Sequence, residues 1–134
     1  MTQISQSPNR LRVLVVDDEA DIRELITVVL ESHGMSVKAV ASAAAALEAL
    51  EPFQPDVLVC DIRMPGGSGY DLMRQIRDLE AKAGGHLPAT AITAYQDEDW
   101  EESRQAGFEA HLHKFAQPGE WVAMIAKLAG QASV

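Results

Sequence analysis

Several reactive side chains in this 134-residue chain share one local setting. The apolar run Val57-Leu58-Val59-Cys60 passes straight into Asp61, and a loop containing Pro65-Gly66-Gly67 follows. An earlier run, residues 11–16, ends on Asp17-Asp18-Glu19; a later one, residues 87–92, ends on Thr93; and the stretch from Glu109 ends on Lys114. Short apolar runs bounded by turn signals suit strands buried on both faces of a parallel sheet. Parallel strands present their carboxyl ends at one edge, where ligands bind in open α/β sheets. The pattern therefore predicts that Asp17, Asp18, Asp61, Thr93 and Lys114 meet. Three carboxylates brought together repel, and burying their charge unpaired is costly. A hard divalent cation is the natural counter-charge: Mg²⁺ (or Mn²⁺) takes one or two carboxylates, keeps waters and accepts a phosphate oxygen. With Lys114 as a second positive charge and Thr93 as a hydroxyl donor, the cluster reads as a phosphoryl site, with Asp61 the candidate nucleophile.

The elements that must position these groups follow in regular alternation. Ile22, Leu25, Ile26, Val29 and Leu30 are spaced for one apolar helix face, with Gly34 placed to stop it. Residues 35–41 predict a strand, and Ser42 an N-cap for a helix over 43–50 that Pro52 and Pro55 close. A helix over 68–82 carries Tyr70, Met73, Ile76 and Leu79 on one side. Residues 96–106 predict a helix with a poor apolar face, and Pro118 opens a last helix with Trp121, Val122, Ile125 and Leu128 inward. Strand–helix repeated five times implies a parallel sheet with helices on both faces and right-handed crossovers. Residues 11–130 are read as one domain, with a flexible tail over 1–10 and a second tail over 131–134.

The totals exclude several classes. Hydrophobic residues make up 47% and charged residues 23%, ordinary for a soluble globular domain. The net charge of −9 argues against nucleic-acid binding, which needs a basic face. No run is long enough to span a bilayer, and no signal peptide is read at the amino end. The single cysteine, Cys60, excludes an internal disulfide and fits a cytoplasmic protein. Within its apolar run it is read as a buried core residue, not a nucleophile.

Plainer readings compete at some positions. An acidic pair such as Asp17-Asp18 can simply complement a helix dipole. Gly66-Gly67-Ser68-Gly69 lacks the GxxxxGK[ST] spacing of a phosphate loop and is read as a turn plus N-cap. His33, His86, His111 and His113 have no metal-ligand clustering beyond the 111/113 pair, which is read as surface. The acidic run over 97–102 is read as a solvated helix face, and Trp100 as a core anchor, with a partner-facing residue the alternative that the poor apolar face leaves open.

Taken in order, Val15-Val16-Asp17-Asp18-Glu19, Asp61-Ile62-Arg63-Met64-Pro65-Gly66, Thr93-Ala94, Ala106-Gly107-Phe108 and Lys114 resemble the receiver domain of two-component response regulators. The wording around residues 63–70 and 88–95 is most similar to receivers of hybrid sensor histidine kinases. The resemblance implies a flavodoxin-like (βα)5 doubly wound sheet of strand order 2-1-3-4-5. It implies a phosphorelay role: Asp61 takes a phosphoryl group from the phosphohistidine of a histidine kinase or histidine phosphotransferase, and a switched surface engages a downstream protein target. Asp18, Asp61 and the backbone carbonyl of Arg63 would hold Mg²⁺, with Asp17 acting largely through water. Lys114 would bind phosphoryl oxygens, and the Thr93 hydroxyl would turn inward on activation. Arg63 and Tyr95 would flank the path of a hydrolytic water. Such a domain is a signalling module that assists its own phosphorylation and dephosphorylation, not an enzyme with an outside substrate.

The chain departs from the pattern in three places. Phe115 stands where receivers usually carry a cis-proline; a non-proline cis bond costs ~2.5–4 kcal/mol, so a trans bond with a displaced Lys114 amine is expected. His111 stands at the aromatic switch position. The interval from Thr93 to Lys114 is one residue short. Two other classes share features: an aspartyl-phosphate phosphatase would use Asp61 and Mg²⁺ but needs a second acid where Arg63 stands, and a flavin carrier needs a phosphate cradle where Asp17-Asp18-Glu19 would repel it. A receiver-like adaptor that signals without phosphorylation is the remaining alternative.

Overall fold

The computed structural model describes residues 10–94 and 100–133, the last three as backbone alone. Five strands and five helices alternate: β1 Arg12–Val16, α1 Ala20–Ser32, β2 Ser36–Val40, α2 Ala43–Phe53, β3 Val57–Asp61, α3 Gly69–Ala83, β4 Ala89–Thr93, α4 Trp100–Ala106, β5 Ala110–His113 and α5 Pro118–Ser133. The strands form one sheet in the order β2-β1-β3-β4-β5, every pair parallel. This is the doubly wound, flavodoxin-like (βα)5 arrangement. Residues 1–9, read as a tail, and residues 95–99 lie outside the described residues, as does the start of the helix expected from position 96. Among the described residues no helix is long and apolar enough to cross a membrane.

The sheet divides the core in two. One layer joins Leu14, Leu58, Cys60, Leu72, Met73 and Phe108 under α2, α3 and α4. The other joins Val13, Val15, Val59, Ile92, Trp121 and Ile125 with Ile26 and Leu30 of α1. Alternate residues of β1 and β3 serve opposite layers, which is why both strands read as unbroken apolar runs. Helix starts follow local chemistry: the Ser42 hydroxyl accepts the Ala45 amide at 3.1 Å, and the Ser68 hydroxyl accepts the Asp71 amide at 3.2 Å.

Five details differ from the sequence expectations. The second tail, read over 131–134, is helical as far as Ser133, where it ends α5. Leu25 is 47% exposed, because α1 meets the sheet along the Ile22–Ile26–Leu30 line and Leu25 lies outboard of it. Leu79 is 50% exposed, facing an open cleft with Leu50 and Leu87 where the end of α3 overhangs the sheet. Helix α2 runs through Pro52 to Phe53 and stops at Gln54, whose left-handed backbone (φ 51°) returns its amide to the Leu50 carbonyl at 2.9 Å. Trp100 is 40% exposed and stacks on His111 instead of anchoring a core.

The loop after β3 is closed by backbone packing. The Gly69 amide donates to the Ile62 carbonyl at 2.7 Å, and a Cβ at Gly69 would lie 2.3 Å from the Asp61 carbonyl oxygen. Because the obstacle is backbone, no side-chain adjustment can relieve it. Gly69→Ala is therefore expected to lower unfolding stability by roughly 2–3 kcal/mol in urea titrations. Gly119→Ala, with nothing within 4 Å, should leave stability unchanged or slightly raised.

Candidate functional site

The carboxyl edge of the sheet brings the predicted residues together. Asp17 follows β1 and is held there by its amide, which donates to the Val40 carbonyl at 3.1 Å. Its side chain is fully buried, and Oδ1 accepts the Glu19 amide at 2.8 Å, turning the chain into α1. Asp61 ends β3 and is 4% exposed. Asp18 is exposed at the mouth, and carboxylate oxygens of Asp17, Asp18 and Asp61 lie within 4.8 Å of one another. Thr93 ends β4 with 2% exposure. Arg63 stands exposed on the loop after β3, beside the site, while Tyr95 lies outside the described residues.

Lys114 is the centre of this group. Its ammonium lies 2.8 Å from Glu19 Oε1, 3.0 Å from Asp17 Oδ2 and 3.3 Å from Asp61 Oδ2. The Lys114–Phe115 peptide is trans, as expected. Lys114 nonetheless remains in contact with Asp61. Its backbone amide still pairs with the Thr93 carbonyl at 2.9 Å, continuing the sheet register one residue past β5. Sequence reading set Glu19 in the acidic motif and against Arg63 across the mouth, and missed its ion pair with Lys114. No local signal foretold it, because the two residues lie 95 positions apart in sequence.

His111 and His113 alternate with the buried Ala110 and Leu112 and so share one face of β5. The His111 ring lies 5.9 Å from the Trp100 ring of α4. Cys60 is fully buried, its thiol donating to the Asp61 carbonyl at 3.1 Å; burial pushes its pKa up, so a core role replaces any nucleophilic one.

The electrostatics follow from burial. Burial and then the neighbouring charge of Asp17 raise the Asp61 pKa to about 6, although Lys114 pulls it back. Burial also raises Asp17, against the Glu19 amide and Lys114. Burial alone would lower Lys114, but its hydrogen bonds to Glu19 and Asp17 and the Asp61 charge outweigh that and raise it. The ammonium thus stays charged at neutral pH and still leaves the acids under-compensated. Hard oxygen donors, close spacing and residual negative charge fit a divalent cation of the Mg²⁺ type.

The comparisons agree with this architecture. The family profile described as the response regulator receiver domain matches residues 13–126. A protein of Leptolyngbya boryana, described as an uncharacterized 14.6 kDa protein in the sodA1 3′ region, is 36% identical over 121 residues, covering 90% of this chain and 91% of its own. The DNA-binding response regulator MtrA of Mycobacterium tuberculosis is 32% identical over 117 residues, covering 87% of this chain but 49% of that protein. The structure of a response regulator from Chloroflexus aurantiacus superposes with a TM-score of 0.83 at 29% identity, over 91% of this chain and 99% of that one. The chain belongs to the response regulator receiver domain family of two-component signal transduction. It spans about half the length of its MtrA relatives.

The raised Asp61 pKa has a consequence for metal-free protein. A carboxyl whose folded pKa exceeds its unfolded value contributes stability below about pH 4 and loses it as pH rises through about 6. Asp61→Asn removes that loss. In EDTA, the variant is expected to be more stable than wild type by roughly 2–3 kcal/mol at pH 7.5, with the gap closing towards pH 4.5. Urea unfolding at the two pH values measures it; a gap independent of pH would refute the assignment.

Proposed function

We propose that Asp61 is the phosphoacceptor of this receiver and that Asp18, Asp61 and the Arg63 backbone carbonyl hold Mg²⁺, with Asp17 acting through water. The observation that carries the reading is the buried Asp61 carboxylate 3.3 Å from the Lys114 ammonium, among acids that Lys114 alone does not neutralise. A carboxylate oxygen of Asp61 attacks phosphorus in line; the new O–P bond forms as the P–N bond of a partner's phosphohistidine breaks, and the electron pair stays on the imidazole nitrogen. Lys114 is already placed to neutralise charge on the transferring group. Mg²⁺, when bound, supplies further charge neutralisation of phosphoryl oxygens. Lys114 must then exchange its present acid partners for phosphoryl oxygens, and the Thr93 hydroxyl donates to the same group.

The donor is a histidine kinase or histidine phosphotransferase, and the output is a protein contact in the cytoplasm. His111 stacked on Trp100 joins β5 to α4, so a movement at Thr93 can be passed to that surface. The words "DNA-binding" describe MtrA as a whole; the net charge of −9 supports no nucleic-acid contact by this chain. Turnover is confined to the domain's own phosphorylation and autodephosphorylation.

Incubation with acetyl phosphate and Mg²⁺ should give one acyl phosphate per chain, read by intact mass, and Asp61→Asn should abolish it. Labelling of Asp61→Asn at the wild-type level would overturn the phosphoacceptor assignment. For the metal, Asp18→Ala is expected to weaken Mg²⁺ at least about ten-fold by calorimetry while the metal-free melting temperature does not fall, because a repelling carboxylate is gone. A large loss of metal-free stability would make Asp18 structural instead.

A further inference from the structure

We infer that His113 is a positioning residue for Lys114: its ring Nδ1 holds the Phe115 amide and so fixes the turn from which the ammonium reaches Asp61. The inference rests on the proposed role of Lys114 at the phosphoryl group.

Three consecutive amides leave β5, and each has a partner. Lys114 donates to the Thr93 carbonyl at 2.9 Å, and Ala116 donates to the His113 carbonyl at 3.1 Å, closing a four-residue turn with Lys114 at its second position. The Phe115 amide between them donates to His113 Nδ1 at 3.1 Å. It is the one amide of the three whose partner is a side chain. A proline here would carry no N–H, so Phe115 introduces a donor that the turn must satisfy. A side-chain acceptor bonding the amide two residues on is what Asn and Asp do in Asx turns, and the imidazole performs the same task.

The ring is committed to that acceptor role. Since Nδ1 accepts, the neutral ring carries its proton on Nε2, which is buried and has no hydrogen-bond partner among the described residues. A buried donor without a partner is unfavourable, so this orientation is maintained by what Nδ1 gains and by contact with the Phe115 ring at 5.4 Å. Phe115 is 74% exposed, which leaves that ring contact little apolar burial to contribute. The backbone of His113 holds the turn from its other side, its carbonyl also accepting the Trp121 Nε1–H at 3.2 Å. Lys114 therefore sits between two anchors supplied by one residue, and only the imidazole anchor can be removed by substitution.

The test compares His113→Leu and His113→Asn with the wild-type chain. His113→Leu is expected to slow phosphoryl uptake from acetyl phosphate about five-fold, the size of one lost hydrogen bond. Its Mg²⁺ affinity should stay within about two-fold and its Phe115 amide should exchange hydrogen faster. His113→Asn, which restores an acceptor to that amide, should return uptake to within about two-fold of wild type. In ¹⁵N spectra of wild type at neutral pH, His113 Nδ1 should show the unprotonated signature. Equal impairment of both variants, unchanged Phe115 exchange in His113→Leu, or a protonated Nδ1 would each overturn the inference. Failure of the wild-type chain to take up phosphoryl at all would instead overturn the reading of the site, and is distinguished from these outcomes by the spectra and exchange rates.

Discussion

The contact on which the site depends is the Lys114 ammonium set against Asp17, Asp61 and Glu19. Gathering carboxylates at a sheet edge and removing them from water is unfavourable twice over, through lost hydration and through mutual repulsion. One cation touching three acids offsets part of this. The remainder persists as the raised pKa of Asp61, and that residue of unfavourable charge suits the pocket to a divalent counter-charge. A fully neutralised cluster would be a more stable fold and a poorer site.

A charge arrangement of this kind requires a rigid frame. Both layers of the core supply it, since β1 and β3 are buried on either face and fix the two acidic strand ends. The loop after β3 is pinned at Gly69, where the backbone approaches Asp61 too closely for any side chain. Away from the site, Arg77 of α3 bonds the Gly107 carbonyl at 2.7 Å and Glu80 at 2.8 Å, tying the opposite edge of the sheet together.

The turn after β5 links the pocket to the surface. Trp121 of α5 donates to the carbonyl of His113, Lys114 reaches inward from the same turn, and His111 meets Trp100 of α4 two residues earlier. On the neighbouring layer, the buried Ser103 hydroxyl of α4 donates to the Tyr70 hydroxyl of α3 at 3.3 Å. Elements that carry no acid of the site thus adjoin the strand and turn from which Lys114 reaches inward.

The fold class was legible in the sequence because a parallel sheet buries both strand faces and so writes unbroken apolar runs ending in polar residues. The same logic placed Asp17, Asp18, Asp61, Thr93 and Lys114 at one edge: strand direction follows from alternation with helices, and direction alone decides which end faces the ligand. What tertiary structure decided is where several segments compete for one group. The pairing of Glu19 with Lys114 joins residues far apart in sequence, and no local pattern foretells which acid a lysine selects. The exposure of Leu25 and Leu79 depends on the line along which each helix meets the sheet, which helical spacing leaves open within about one residue's rotation. The role of His113 was hidden for a related reason. In the sequence it is one of four scattered histidines, and only the turn that brings the Phe115 amide back over its ring makes that nitrogen an acceptor.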